Sequence, residues 1–247
     1  MSTSPELPAF DPPIALVTGA TSGIGREVAR KLAADGFSVL VHGRDPARGA
    51  AVVDEIVAAG GRARFIAADL TDAAGIERLA AAAAEVDVLV NNAGFSWFGP
   101  TADLDPATFD RMFAANVRSA YFLVAAIAPQ MAKRGTGAII SLGSMGGQIG
   151  LSGGAAYSAT KAALASLTRS WAAEFSPQGV RVNAVAPGPV FTDGAAPDRT
   201  AALGATTLLG RAATPAEIAE VVAFLTSSKA AYITGAVIAA DGGRTAI

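Results

Sequence analysis

The chain has 247 residues, 51% of them hydrophobic and 16% charged, with no cysteine and a single histidine, His42. Without cysteine it can carry no disulfide, thiolate zinc site, iron–sulfur cluster or cysteine nucleophile; one histidine excludes a three-histidine metal site and leaves any Ser–His–Asp triad resting on His42. A net charge of −2 with a pI near 5.4 speaks against general nucleic-acid affinity, and proton chemistry here points to tyrosine, lysine or carboxylates.

Residues 1–13 hold Pro5, Pro8, Pro12 and Pro13 and read as a flexible leader to one domain over 14–247. A buried-strand run at 14–18 leads through a glycine turn into a helix at 25–35. A strand at 38–42 and a helix at 46–59 follow, the latter ended by Gly60 and Gly61. Next come a strand at 64–68, a helix at 73–85 and a strand at 86–91. A long helix is expected over 107–133, a strand at 137–142 and a helix at 155–175. The chain closes with a strand at 181–186, a helix at 215–225 and a strand at 236–240. Alternation at this spacing implies an α/β, doubly wound parallel sheet of about seven strands with helices on both faces. The apolar run over 120–128 is too short for a membrane span, which needs about 18 residues. No basic segment followed by an apolar one opens the chain, so no secretory signal is expected. Absence of cysteine is compatible with a cytoplasmic setting.

The first strand runs into Thr18-Gly19-Ala20-Thr21-Ser22-Gly23-Ile24-Gly25. Glycines at 19, 23 and 25 let the backbone turn tightly beside a pyrophosphate, and the helix N-terminus offers free N–H groups to the anion. The second strand ends Val41-His42-Gly43-Arg44-Asp45. A carboxylate here would accept from the ribose hydroxyls and select NAD. Gly43 stands at that position and Arg44 follows, and a guanidinium suits a 2′-phosphate, which favours NADP(H). Asp45 in a shifted register would keep NAD(H) possible. Asp69, before Leu70, offers a carboxylate to the adenine amino group; Thr71 or Asp72 fits the helix N-cap better. Asn91-Asn92-Ala93-Gly94 ends the fourth strand, at the sheet's carboxyl edge, where such sheets bind ligands.

Ser144 follows the fifth strand. Tyr157 and Lys161 lie four residues apart, on one helix face. A free tyrosine, with a pKa of about 10, is a poor acid–base near neutrality. A nearby ammonium lowers that value, and it can also hold a ribose. Ser144 can orient a carbonyl and stabilise developing oxyanion charge.

These motifs resemble the short-chain dehydrogenase/reductase family, whose fold is a Rossmann-type sheet, over residues 14–243. The Pro187-Gly188 turn and the Asp241-Gly242-Gly243 ending match as well. The resemblance implies that Tyr157 is the acid–base, that Lys161 tunes it and binds the nicotinamide ribose, and that Ser144 positions the carbonyl. It implies that Asn116 completes a proton relay. Gly19, Thr21, Ser22, Gly23, Ile24, Gly25, Arg44, Asp69, Leu70, Asn92, Ala93, Gly94, Tyr157, Lys161, Pro187, Gly188, Val190 and Thr192 are the implied cofactor residues. The stretch 191–209 matches the family's mobile substrate lid, and its Ala/Gly/Thr content leads us to expect a largely apolar pocket. Phe95, Trp97, Phe98, Met145 and Gln148 are expected at the substrate; Trp97 and Phe98 suit a core or interface role equally. The nearest likeness is to 3-oxoacyl-acyl carrier protein reductases. Those often carry arginine where this chain has Gly135 and Gln178, which leaves carrier-protein recognition open despite Lys133 and Arg134. The expected reaction is NADPH-dependent reduction of a small ketone. NAD-dependent oxidation of a sugar, steroid or polyol and a non-catalytic dinucleotide sensor are its rivals. A homotetramer, or a dimer, is implied, packed through the 107–133 and 155–175 helices. No metal is expected. His42, beside the expected adenosine ribose, should shape the cofactor pocket at most.

Overall fold

The computed structural model describes residues 12–247. Among these residues, seven strands are formed: β1 (Ile14–Val17), β2 (Ser38–Gly43), β3 (Arg62–Ala67), β4 (Val88–Asn91), β5 (Gly137–Leu142), β6 (Val180–Pro187) and β7 (Val237–Ala240). All pair parallel, in the order β3-β2-β1-β4-β5-β6-β7. The helices are α1 (Gly23–Ala34), α2 (Pro46–Ala58), α3 (Ala73–Ala82), α4 (Pro106–Phe113), α5 (Ser119–Arg134), α6 (Ala155–Phe175), α7 (Pro197–Gly204) and α8 (Pro215–Thr226). The expected leader lies outside the described residues apart from Pro12 and Pro13, and the Pro13 carbonyl accepts the Ser38 N–H at 2.9 Å.

Strand residues alternate between two buried layers. Ala15 and Val17 of β1 join α1, α2 and α8, while Leu16 joins α3, α5 and α6. Both faces of the sheet are therefore covered, as a parallel sheet requires. Each buried leucine or isoleucine contributes about 2 kcal/mol of hydrophobic stabilisation.

Helix starts follow from local chemistry. Asp45 before Pro46 accepts from the Ala47 and Arg48 amides, and Asp105 before Pro106 accepts from the Thr108 amide. Thr214 before Pro215 forms a reciprocal capping box with Glu217. In each case a side-chain oxygen satisfies an orphan N–H, and proline supplies a preset first residue. Asp45 thus caps α2 through Oδ1, while its Oδ2 meets the Arg48 guanidinium.

The expected 107–133 helix is continuous over Pro106–Arg134, but Ala114–Arg118 winds as a π-turn between α4 and α5. By length and composition its 29 residues would suffice to cross a membrane, yet half of its 18-residue apolar window is buried. Leu123, Val124, Ile127, Ala128 and Met131 are fully enclosed against the sheet, as in a core helix.

Candidate active site

Strand order reverses between β1 and β4, and the loops leaving these two strands diverge to open a crevice. Thr18 and Asn92 stitch its floor. The Thr18 hydroxyl donates to the Val90 carbonyl and accepts from the Asn92 and Ala93 amides at 2.9 and 3.0 Å. Asn92 Nδ2 donates to the Thr18 and Gly19 carbonyls. The glycine turn has no room for larger residues. Gly19 has a φ of 63°, and a Cβ at Gly25 would stand 2.4 Å from both Asn92 Nδ2 and the Gly19 carbonyl oxygen. Ser22, the N-cap of α1, makes no side-chain bond to the amides it precedes, and Gly23, Ile24 and Gly25 line the crevice.

Gly43 is equally constrained: a Cβ there would meet Thr21 Cγ2 at 2.5 Å. A ribose-binding acid at this position would collide with the phosphate turn. Arg44 is exposed beside it and holds the Asp69 carboxyl down, after the larger contribution of the Thr71 amide. Asp69 Oδ1 accepts both the Thr71 amide and hydroxyl, which leaves Oδ2 open. Asp72, the N-cap of α3, makes no side-chain bond to the helix amides.

His42 is 2% exposed. Its Nδ1 accepts the Gly19 N–H at 3.1 Å, which places the ring proton on Nε2, 3.2 Å from the Ala68 carbonyl. The neutral imidazole ties the glycine turn to the residue after β3. Burial pulls its pKa from 6.5 down to about 4, against the Ala68 carbonyl and Asp69. The unfolded chain therefore binds a proton that the folded chain refuses. Stability complete above about pH 6.5 is lost as pH falls toward 4, by roughly 3 kcal/mol. No other histidine shares that window. Urea midpoints measured from pH 7 to 4.5 should fall for the wild type and follow a lower, flatter line for His42→Asn. An equally steep line in the variant would refute the assignment.

At the other end, Ser144 leaves β5 and accepts the Gly146 amide at 3.1 Å. Tyr157 and Lys161 sit in the first two turns of α6. Lys161 Nζ donates to the Leu142 carbonyl at 2.7 Å and lies 5.6 Å from the Tyr157 ring centre. Burial drives the lysine down to about 8. Tyr157 departs from the sequence expectation: burial raises its pKa, and the Ser144 hydroxyl opposes that rise. The phenol is protonated at neutral pH, as a proton donor must be.

Asn116 stands behind the wall, 2% exposed, within the π-turn. Its Oδ1 accepts the Phe95 N–H at 3.0 Å, and Nδ2 donates to the Phe95 carbonyl at 2.9 Å and the Thr160 hydroxyl at 3.1 Å. One amide thus joins the β4 loop, the long helix and α6. The π-turn satisfies that demand by rotating the side chain inward, a recurrent device at functional sites.

The remaining sequence-derived candidates gather on one cavity of about 1030 Å³, which runs from Arg44 to Tyr157 and includes Leu70, Pro187, Gly188, Val190 and Thr192. Phe95, Phe98 and Met145 also line it, whereas Trp97 and Gln148 do not. Trp97 packs over Gly99 instead. Gly135 and Gln178 supply no cation; Gly135 closes α5 in a left-handed turn against Gly179. The 191–209 stretch contains α7, announced by Pro197 at its first turn. Arg111 and Arg199 join the wall near Phe95 and Phe98, so the reacting end is not simply apolar. Sequence patterning gives no signal for them: each lies on an exposed helix face.

A family model described as enoyl-(acyl carrier protein) reductase matches residues 19–245. The chain is 40% identical to cis-4-hydroxycyclohexanecarboxylate dehydrogenase of Sinomonas cyclohexanicum, over 97% of this chain and 99% of that protein. A solved short chain dehydrogenase/reductase family protein superposes with a TM-score of 0.89 at 47% identity, covering 95% and 98% of the two chains. The angucycline C-6 ketoreductase LanV with bound NADP superposes with a TM-score of 0.89 at 33% identity, covering 95% and 96%.

Proposed function

The chain belongs to the short-chain dehydrogenase/reductase family and is an NAD(P)-dependent oxidoreductase interconverting alcohols and carbonyls, and from that premise we propose that it works as an NADPH-dependent ketone reductase. The observation that carries this reading is one continuous cavity with a glycine turn at one end and Ser144, Tyr157 and Lys161 at the other. The cradle fits a dinucleotide, because Gly19, Gly25 and Gly43 let the turn close tightly against Asn92, Ala93 and Thr21 while lining the cavity with backbone alone.

Bound NADPH supplies the hydride that the carbonyl carbon receives. The chain's residues do the rest. Open amides at the start of α1 hold the pyrophosphate, with Thr192 across the turn, its side chain 3.3 Å from where a Cβ on Gly23 would be. Arg44 takes the 2′-phosphate and Asp69 Oδ2 the adenine amino group. Pro187, Gly188 and Val190 close over the nicotinamide end. Ser144 orients the carbonyl, and Tyr157 gives its proton to the carbonyl oxygen. Lys161, fixed by the Leu142 carbonyl, holds the nicotinamide ribose and favours the phenolate once the proton has left. Asn116 holds the Phe95 loop and the start of the proton path.

The test is a panel of ketones with NADPH and NADH, followed by absorbance. Arg44→Ala should raise KM for NADPH by about tenfold, the worth of a charge-assisted pair, with KM for NADH unchanged. Preference for NADH in the wild type, with no effect of the substitution on NADPH, would sink the cofactor assignment and favour alcohol oxidation.

A homotetramer is the assembly we infer, in the cytoplasm, with which a cysteine-free chain is compatible. Tyr121 and Phe122 of α5 stand 46% and 52% exposed beside an apolar hollow shared with Leu167 of α6. Phe224 of α8 and Tyr232 before β7 expose a second apolar face. Two such faces suit two twofold contacts. Light scattering should report four times the chain mass.

A further inference from the structure

Many arginines of this chain are engaged. Arg26, Arg48, Arg134 and Arg211 face carboxylates, and Arg64, Arg118 and Arg181 donate to backbone carbonyls. On the cavity wall, Arg44, Arg111 and Arg199 have guanidinium groups with neither kind of partner among the described residues. Arg44 belongs to the adenosine end. The other two stand at the reacting end, each laid on an aromatic face. Arg199 lies 4.3 Å from the centre of the Phe98 ring, and Arg111 lies 5.3 Å from that of Phe95. The Phe98 ring is itself 5.5 Å from the Tyr157 ring.

A cation over a ring face is held by the ring's quadrupole, which fixes the guanidinium without using its N–H donors. Met145, Leu151 and Leu203 supply apolar wall nearby. Of the acids on the same wall, Asp69 is held by Thr71 at the adenosine end, and Asp193 adds a minor attraction to Arg26 without pairing to Arg111 or Arg199. Asp110, next to Arg111, lines a different cavity. Arg111 and Arg199 therefore face the cavity with no ion-pair partner among the described residues, beside the apolar wall of Met145, Leu151 and Leu203.

We propose that the substrate carries a carboxylate at the end remote from its reacting carbon, and that Arg199 and Arg111 bind it. This rests on the oxidoreductase reading above and names its substrate class. The planar fork matches a carboxylate in two parallel hydrogen bonds, and the apolar wall holds the carbon skeleton between carboxylate and carbonyl. Arg199 and Arg111 are then specificity residues, one aromatic ring removed from the proton donor.

The test compares keto acids with their own methyl esters, by NADPH absorbance. For the wild type, kcat/KM of the acid should exceed that of the ester by about tenfold or more, the worth of a charge-assisted pair. Arg199→Ala should lower the acid's kcat/KM by about 10- to 100-fold, chiefly through KM, and move the ester's by less than about threefold. The retained ester activity also shows that the variant folds. Arg199→Lys should recover part of the loss, Arg111→Ala should act in the same direction, and added salt should narrow the acid–ester gap. An ester as good as its acid, or an Arg199→Ala loss shared equally by both, overturns the proposal while reduction of ketones still stands. Sulfonate or phosphate analogues that outperform the carboxylates overturn the choice of head group. Failure to turn over any carbonyl or alcohol with either cofactor overturns the oxidoreductase reading itself, and this proposal with it.

Discussion

Tyr157→Phe is expected to lower kcat by about a thousandfold, within the range contributed by a positioned general acid, with NADPH affinity unchanged within about twofold. Phenylalanine keeps the ring that packs against Phe98 at 5.5 Å, so the wall survives while the phenol hydroxyl is lost. Stopped-flow turnover and cofactor fluorescence read the two quantities separately. Residual turnover within tenfold of wild type would mean that another group delivers the proton. The same residue sets the pH response. Burial raises the Tyr157 pKa, so the protonated form needed for reduction persists through neutral pH. Alcohol oxidation needs the phenolate, and its rate should climb with pH above 7. Faster oxidation at pH 6 than at pH 9 would contradict this sign.

Asn116→Ala should give the second large effect, on stability and activity together. The substitution strips the Asn116 partner from the Phe95 N–H and the Phe95 carbonyl, while the Thr160 hydroxyl keeps the Tyr157 carbonyl. Each group left unsatisfied costs about 1 kcal/mol, so a loss of about 2 kcal/mol is expected. In a domain of this size that lowers Tm by roughly 4–8 °C. Gly94→Ala approaches the same amide from the other side, because its Cβ would meet Asn116 Oδ1 at 2.6 Å. Calorimetry should find both variants destabilised and kcat reduced in each; a wild-type Tm for Asn116→Ala would show that the amide carries no structural load.

Much of this molecule is legible in its sequence, because its fold rests on local and periodic signals. Strand–helix alternation gives the doubly wound sheet, and the glycine spacing after β1 locates the phosphate end. Tyr157 and Lys161 are readable because four residues on a helix share a face. What escapes is set by contacts between distant segments. Arg111 and Arg199 look like solvated helix charges until Phe95 and Phe98 arrive beneath them from another loop. Trp97 and Gln148 are neighbours in number of true wall residues, but Trp97 packs over Gly99 and Gln148 is exposed. The Tyr157 pKa depends on how deeply the ring is enclosed, which i and i+4 spacing does not encode. Asp45 carries a local signal that its reading as a ribose acid passed over, since Asp-Pro before a helix marks an N-cap. Similarly, Ala-Pro-Asp at 196–198 marks the start of α7 within a stretch whose composition suggests only a loop.

The two ends of the cavity are supported by different parts of the molecule. Ser144, Lys161 and the glycine turn hang on buried strand ends, where any change disturbs the sheet. Arg111 and Arg199 ride on short helices that send little into the core: Met112 alone from α4, and Thr200 and Gly204 from α7. Exchange of exposed residues on such helices shifts stability by only about 0.5 kcal/mol either way. Substrate range in this scaffold can therefore drift by single steps, each one foldable, while the redox chemistry stays fixed. For an engineer, α4 and α7 are the two short segments to randomise first.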